Sequence, residues 1–262
     1  MDGLDLDQLI KAAEAAADAA AAVIRPYFRA GVATDIKPDQ SPVTIADHAA
    51  ERALRAVLGE RFPDHGILGE EFGTENDGAA LCWVLDPIDG TRAFITGRPA
   101  FGTLIALLED GRPILGVIDQ PVTAERWVGA AGRATTFRGP LGGRAGCRPC
   151  PRIEQAELSL TSTEVFGPAD AALWQQLHGA ARRTSFGGDC YAYGLLALGH
   201  IDVIAEATMH LWDWAALVPV IEGAGGRLTD WRGQRLTPAS DGHTLAVGDP
   251  ALLAQAVELL AA

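Results

Sequence analysis

The segment Trp83-Val84-Leu85-Asp86-Pro87-Ile88-Asp89-Gly90-Thr91 holds the densest chemistry in the chain. An apolar run ends in a carboxylate, Pro87 turns the backbone, and a second carboxylate follows three residues on. Two carboxylates on one tight turn share a small volume, which is costly unless a cation lies between them. Hard divalent ions such as Mg²⁺ take oxygen ligands of this kind. Gly90 is free to adopt backbone angles that other residues resist, and Thr91 stands where a helix would begin. Free amides at such a helix start favour a phosphate. The other reading is structural, a turn in which Asp89 and Thr91 act as caps. Three further pieces carry the same ambiguity. Gly69-Glu70-Glu71 places acids at the end of a short strand or in a solvated loop. Trp212-Asp213-Trp214 places Asp213 before an apolar helix, where it is either a ligand or an N-cap. Thr44-Ile45-Ala46-Asp47 has the spacing of an acidic capping box.

Positioning these residues requires strands that end in acids and helices that begin beside them. Leu4 to about Phe28 reads as a first helix with Pro26 near its end, and a second begins around Thr44, where Ala50, Ala53, Leu54, Val57 and Leu58 recur at helical spacing. Ile67–Gly69 is a short strand, and the continuous apolar run Leu81–Leu85 predicts a buried strand that stops at Asp86. Phe101–Leu108 and Pro113–Asp119 read as strands joined at Glu109-Asp110-Gly111, followed by Arg126–Ala130 and Ala134–Arg138. Glycines and prolines between Gly139 and Pro151 then break the pattern. Beyond them, strands at Leu158–Thr161 and Val203–Glu206 alternate with helices at Pro168–Ala181 and Tyr191–Leu198, at Trp212 or Asp213, and at Ala251–Leu260. The order predicts two stacked α/β lobes, residues 1–145 and 146–262.

The 262 residues carry 34 acids against 21 bases, a net charge of −13. A partner rich in phosphate, whether duplex nucleic acid or an anionic membrane, would demand the opposite balance. The N-terminus carries acids where a secretory peptide has bases, and the alanine-rich stretch Ala12–Ala22 is broken by Glu14 and Asp18, so the expectation is a cytoplasmic protein with neither nucleic acid nor membrane as partner. Four cysteines do not make a disulfide framework, and the lone pair Cys147/Cys150, flanked by Pro149 and Pro151, reads as a passive loop pair.

Taken together, Glu70 within Gly-Glu-Glu, Asp86-Pro87-Ile88-Asp89-Gly90-Thr91, and Trp212-Asp213 followed by Glu222-Gly223-Ala224-Gly225-Gly226 resemble the inositol monophosphatase superfamily. The match runs in order from Lys37 to the C-terminal glycines. The resemblance implies an α/β (α+β) fold, a layered αβαβα sandwich of the inositol monophosphatase/fructose-1,6-bisphosphatase type. It implies that Glu70, Asp86, Asp89, Asp213 and the carbonyl of Ile88 hold two or three Mg²⁺ ions, with Mn²⁺ as an alternative. Asp86 would bridge two of them. Gly90 and Thr91 would offer amides to the phosphate. Asp47 and the Thr91 hydroxyl, with Glu70 beside them, would form the catalytic group that orients and deprotonates water, which attacks directly once metal has lowered its pKa. Lys37 either orders its loop and screens the phosphate or is a solvated lysine. Family members are often homodimers, and a homodimer is the expectation here.

The continuation Arg92-Ala93-Phe94-Ile95-Thr96-Gly97 differs from the Thr-Asn-Phe of the inositol phosphatase branch and resembles the histidinol-phosphate phosphatase branch, as do Gly187-Gly188-Asp189-Cys190-Tyr191 and Leu217-Val218-Pro219-Val220. Asp189 and Glu206 match positions that line the substrate pocket in this superfamily. Two acids there suit the ammonium and partly protonated imidazole of histidinol phosphate. Their structural readings are a helix cap for Asp189 and a strand-end acid for Glu206. The expected activity is hydrolysis of this small phosphate ester, a step of histidine biosynthesis. Inositol monophosphate or another small sugar phosphate is the nearest alternative, an adenosine bisphosphate is more distant, and a non-catalytic metal- or phosphate-binding regulator is the reading from a different class.

Overall fold

A computed structural model describes residues 5–37 and 42–261. Asp5 caps α1 (Leu6–Ile24) by accepting from the amides of Asp7 and Gln8, and Pro26 ends that helix in a short 3₁₀ turn. Leu4, the expected helix start, lies outside the described residues. Buried Ala12, Ala13, Ala16, Ala17 and Ala20 let α1 lie close against α2 (Ile45–Arg61). Two short antiparallel strands, β1 (Thr34–Ile36) and β2 (Pro42–Thr44), lead into α2.

The first large sheet has seven strands: β3 (Gly66–Gly69), β4 (Gly73–Glu75), β5 (Leu81–Asp89), β6 (Gly102–Glu109), β7 (Arg112–Gln120), β8 (Glu125–Ala130) and β9 (Thr136–Arg138), with α3 (Thr91–Ile95) between β5 and β6. Their spatial order is β4-β3-β5-β6-β7-β8-β9, and only β3–β5 is parallel. The second sheet is built from β10 (Glu157–Leu160), β11 (Arg183–Phe186), β12 (Val203–Glu206), β13 (Arg227–Thr229) and β14 (Thr244–Val247) in the order β11-β10-β12-β14-β13. Its helices are α4 (Pro168–Ala180), α5 (Asp189–Ala197), α6 (Leu211–Trp214), α7 (Leu217–Gly223) and α8 (Leu253–Ala261).

Side-chain alternation shows why these strands read as unbroken apolar runs. Trp83 and Leu85 of β5, with Ile105 and Leu107 of β6, point into the core beneath α1 and α2. Val84, Leu104 and Ala106 point the other way, onto α5, α6 and α7. In the second sheet Ile204 faces those same helices, while Val203 and Ala205 face Trp174 and Leu177 of α4 and Ala256 of α8. A sheet covered on both faces needs apolar residues at every position. The result is five layers, αβαβα, as the resemblance implies. The middle helical layer sits hard against the first sheet. A Cβ at Gly116 would lie 2.0 Å from the carbonyl oxygen of Ala216, and one at Gly129 would lie 2.3 Å from the backbone of Pro219.

Two local expectations are corrected. β5 does not stop at Asp86 but runs to Asp89, its pairing with β6 shifting between those two residues. The irregularity accommodates Pro87, which has no N–H to give, while its carbonyl accepts from the Thr103 hydroxyl at 2.8 Å. Asp213 is not an N-cap. His210 holds that position, and Asp213 stands at the third residue of α6 and accepts from the His210 amide at 2.6 Å.

Candidate active site

β5 delivers Asp86 and Asp89 to one end of the first sheet, and α6 brings Asp213 to the same point from the second half of the chain. A carboxylate oxygen from each lies within 4.8 Å of the other two. Asp86 is 2% exposed, and its amide-side geometry is fixed by the N–H of Ile88, which donates to Oδ1 at 3.0 Å. Asp89 accepts from the Cys190 amide at 2.6 Å, which ties the start of α5 to the cluster.

Burial, followed by the charges of Glu70, Asp89 and Asp213, pushes Asp86 well above the usual carboxylate range. Burial does the same to Asp213, with Asp89 the strongest of the charges that add to it. Asp89 is pushed up to about 6 by burial, against the relief of its bonds to Cys190. These three acids, one buried and two half-buried, resist ionising together, and a divalent cation among them would remove that cost. The donor set is all oxygen, which fits Mg²⁺ or another hard ion.

Glu70 adjoins this trio, raising Asp86 through its charge and a side-chain hydrogen bond. Its Oε1 accepts from the Lys37 ammonium at 2.7 Å, and Glu71 accepts from the same ammonium at 2.7 Å. Lys37 is therefore neither loose nor solvated. Burial pulls its pKa down, but the bonds and charges of Glu70 and Glu71 outweigh that and hold it charged. Burial drives Glu71 up to about 7 despite the Lys37 bond.

The strand end that carries Glu70 is braced by a residue with no role in the sequence reading. Glu51, fully buried on α2, accepts from the amides of Glu71 at 2.8 Å and Phe72 at 3.2 Å and from Arg55 Nε at 2.8 Å. Gly69 makes room for it, because a Cβ there would lie 2.0 Å from Glu51 Oε1. A glutamate on the buried stripe of α2 with Ala50, Leu54 and Leu58 is the one signal that could have revealed it.

Asp47 and Thr91 meet as expected. The Thr91 hydroxyl lies 3.3 Å from Asp47 Oδ1 and 3.2 Å from the Ile88 carbonyl, while Asp47 Oδ2 accepts from the Thr44 amide at 2.8 Å and the Thr44 hydroxyl at 2.6 Å. Asp47 is thus both a capping-box residue and the partner of Thr91. Burial raises its pKa, partly offset by the Thr44 bonds. Gly90 caps α3 with φ +87°, and a Cβ on it would come within 2.9 Å of the Asp189 side chain. The first amides of α3 have no carbonyl one turn back within the helix.

Asp189 opens α5 with φ +43°, a left-handed conformation that costs a non-glycine residue free energy and is met most often where function demands it. Its carboxylate shares a pocket of about 150 Å³ with Asp89, Asp213 and Glu206. Glu206 Oε1 accepts from both the amide and the hydroxyl of Thr161, at 2.9 and 2.7 Å. Burial and the Asp89 charge push Asp189 up to about 7, and burial pushes Glu206 up to about 7. Cys147 and Cys150 are free thiols and neither belongs to this cluster. A larger cavity of about 620 Å³ lies elsewhere and shares no residue with this pocket.

The family model of the inositol monophosphatases matches residues 5–261. The chloroplastic bifunctional phosphatase IMPL2 of Arabidopsis thaliana is 44% identical over 98% of this chain and 76% of its own length. A histidinol-phosphatase of Mycobacterium tuberculosis is 40% identical over 84% of this chain and 86% of its own. Among solved structures, an inositol monophosphatase from Zymomonas mobilis is 46% identical, with a TM-score of 0.89 over 99% of this chain and all of that one. The five-layer sandwich with an all-carboxylate cluster at the end of β5 is that of a metal-dependent phosphatase, Mg²⁺ being the general metal of the group. The chain belongs to the inositol monophosphatase family. Among the described residues, no helix is long and apolar enough to cross a membrane.

Proposed function

We propose that this phosphatase hydrolyses L-histidinol phosphate to L-histidinol and phosphate. The observation that carries the reading is the acidic pair Asp189 and Glu206 in the pocket that also contains Asp89 and Asp213. An ester whose phosphate is drawn to a metal and whose other end is a cation suits such a pocket, since carboxylates favour an ammonium or imidazolium. Histidinol-phosphatases at 34–40% identity support the same substrate. Inositol monophosphate is the second reading, supported by the inositol monophosphatase structure at 46% identity.

In this reading Asp86, Asp89, Asp213, Glu70 and the Ile88 carbonyl would hold two or three Mg²⁺ ions. Bound metal supplies Lewis-acid polarisation of the phosphoryl group and makes water more acidic. The Thr91 hydroxyl donates to Asp47, which leaves its oxygen free to accept a proton from the attacking water, and buried Asp47 fixes that orientation. Gly90 and Thr91 amides hold the phosphate. Glu70, anchored by Lys37 and by the Glu51-braced strand end, borders the water position. Water oxygen bonds to phosphorus as the ester P–O bond breaks; the proton that water gives up passes through the Thr91 hydroxyl to Asp47, the departing alkoxide takes a proton from solvent, and Asp47 returns its proton to solvent. The reading also takes the chain as two lobes, 1–145 and 146–262, of a cytoplasmic homodimer, with light scattering as the check on mass.

The test is phosphate release from L-histidinol phosphate, inositol 1-phosphate and a neutral generic ester, with and without Mg²⁺. Preferred turnover of inositol 1-phosphate overturns the substrate assignment. Absence of metal-dependent turnover of every ester overturns the catalytic reading and leaves a regulator.

A further inference from the structure

We propose that the cavity of about 620 Å³ at the far end of the sheet stack binds a small organic polyanion, a ring or compact apolar body bearing two or more negative charges. β7 starts at Arg112 on this cavity and ends at Gln120 near the catalytic end, a span of about 27 Å at the usual rise of a strand.

Its lining gathers four arginines, Arg112, Arg133, Arg227 and Arg235, in a chain whose net charge is −13. Arg133 is neutralised by Asp7. Among the described residues, Arg112 and Arg235 have no carboxylate partner, and Arg227 donates only to the Gly226 carbonyl. Glu222 is the single carboxylate of the lining, so three unneutralised guanidiniums face one acid. Concentrated positive charge on an acidic protein costs self-repulsion that an anion would relieve, and a concave wall focuses its field. The floor is apolar: Pro219, Leu228 and Leu236 are buried there. A polar rim over an apolar floor, at a volume ordinary for small-molecule sites, selects a ligand with a body as well as charge. Arginine forks pair with sulfonate, phosphate or carboxylate groups alike.

The experiment uses the full chain with Mg²⁺ present and naphthalene-1,5-disulfonate as probe, an anion with a ring, two fixed charges and no ester to hydrolyse. Calorimetry at low salt is expected to show one-site binding that is unchanged in Asp86→Asn, a variant altered at the catalytic end and not in this cavity. The double variant Arg227→Glu/Arg235→Glu is expected to weaken it on the order of tenfold. Arg112→Gln is expected to give a smaller loss, and phosphatase turnover in both variants stays within about twofold of wild type, which reports an intact fold. Inorganic sulfate, charge without a body, is expected to bind about tenfold more weakly than the disulfonate. Absence of disulfonate binding at millimolar concentration, unchanged affinity in both arginine variants, or loss of binding in Asp86→Asn overturns the site. Sulfate binding as tightly as the disulfonate overturns the part of the proposal that requires a body.

Discussion

Glu206→Gln separates what the pocket does for the fold from what it does for the substrate. Burial pushes this carboxyl from 4.5 to about 7, against two bonds from Thr161 and with help from Asp189. An acid whose pKa is higher in the folded state contributes most below its unfolded value, and that contribution is lost as pH rises through the folded value. Wild type therefore loses stability between about pH 4.5 and pH 7 at this residue. A shift of about 2.5 units corresponds to roughly 3 kcal/mol at most. Glutamine keeps both Thr161 bonds, since both end on Oε1, and carries no charge to bury. Metal-free Glu206→Gln is thus expected to match wild type near pH 4.5 and to exceed it by up to about 3 kcal/mol at pH 8, a rise in Tm of about 6 °C or more. Calorimetric unfolding in a chelator across that pH range is the measurement. A variant less stable than wild type at pH 8, or a gain that does not vary with pH, refutes the reasoning. The same variant is expected to lose turnover of L-histidinol phosphate, so that stability and activity move in opposite directions.

Asp86→Asn keeps the Oδ1 that receives the Ile88 amide, so it is expected to fold normally and lose essentially all metal-dependent turnover; near wild-type turnover would remove Asp86 from the metal site. Asp189→Asn is expected to cut turnover of L-histidinol phosphate about tenfold more than that of a neutral ester, about 1.4 kcal/mol of selective recognition, and equal losses on both would dismiss a cation-selecting role. Gly69→Ala forces Glu51 from its buried seat and is expected to cost about 1–3 kcal/mol in denaturant unfolding and to raise the Mg²⁺ concentration needed for half-maximal rate, through the loosened Glu70.

Strands covered on both faces were legible because their alternation disappears into solid apolar runs, as in β5 and β6. Strands that are short and exposed, such as β1 and β4, carry no such signal, and β13 and β14 are only three and four residues long. Asp86 and Asp89 could be recognised from one turn of sequence because their chemistry is local. Placement of Glu51 on the buried stripe of α2 hints at a role but not at which one, since what it does depends on the amides of Glu71 and Phe72, brought to it by tertiary packing. The position of Lys37 was likewise hidden: pairing with Glu70 and Glu71 requires the end of β1 to lie against the end of β3. Composition could not locate the four arginines of the distal cavity, which come from β7, β13 and two loops.

Asp86 and Asp89 belong to an early strand, whereas Asp213 arrives only after β12 of the second sheet. During synthesis, a ribosome must pass residue 213 before the third carboxylate exists. An unfinished or truncated chain can therefore offer a cation only the two β5 members of the trio, and the complete cluster exists only once both halves of the chain have been made and joined.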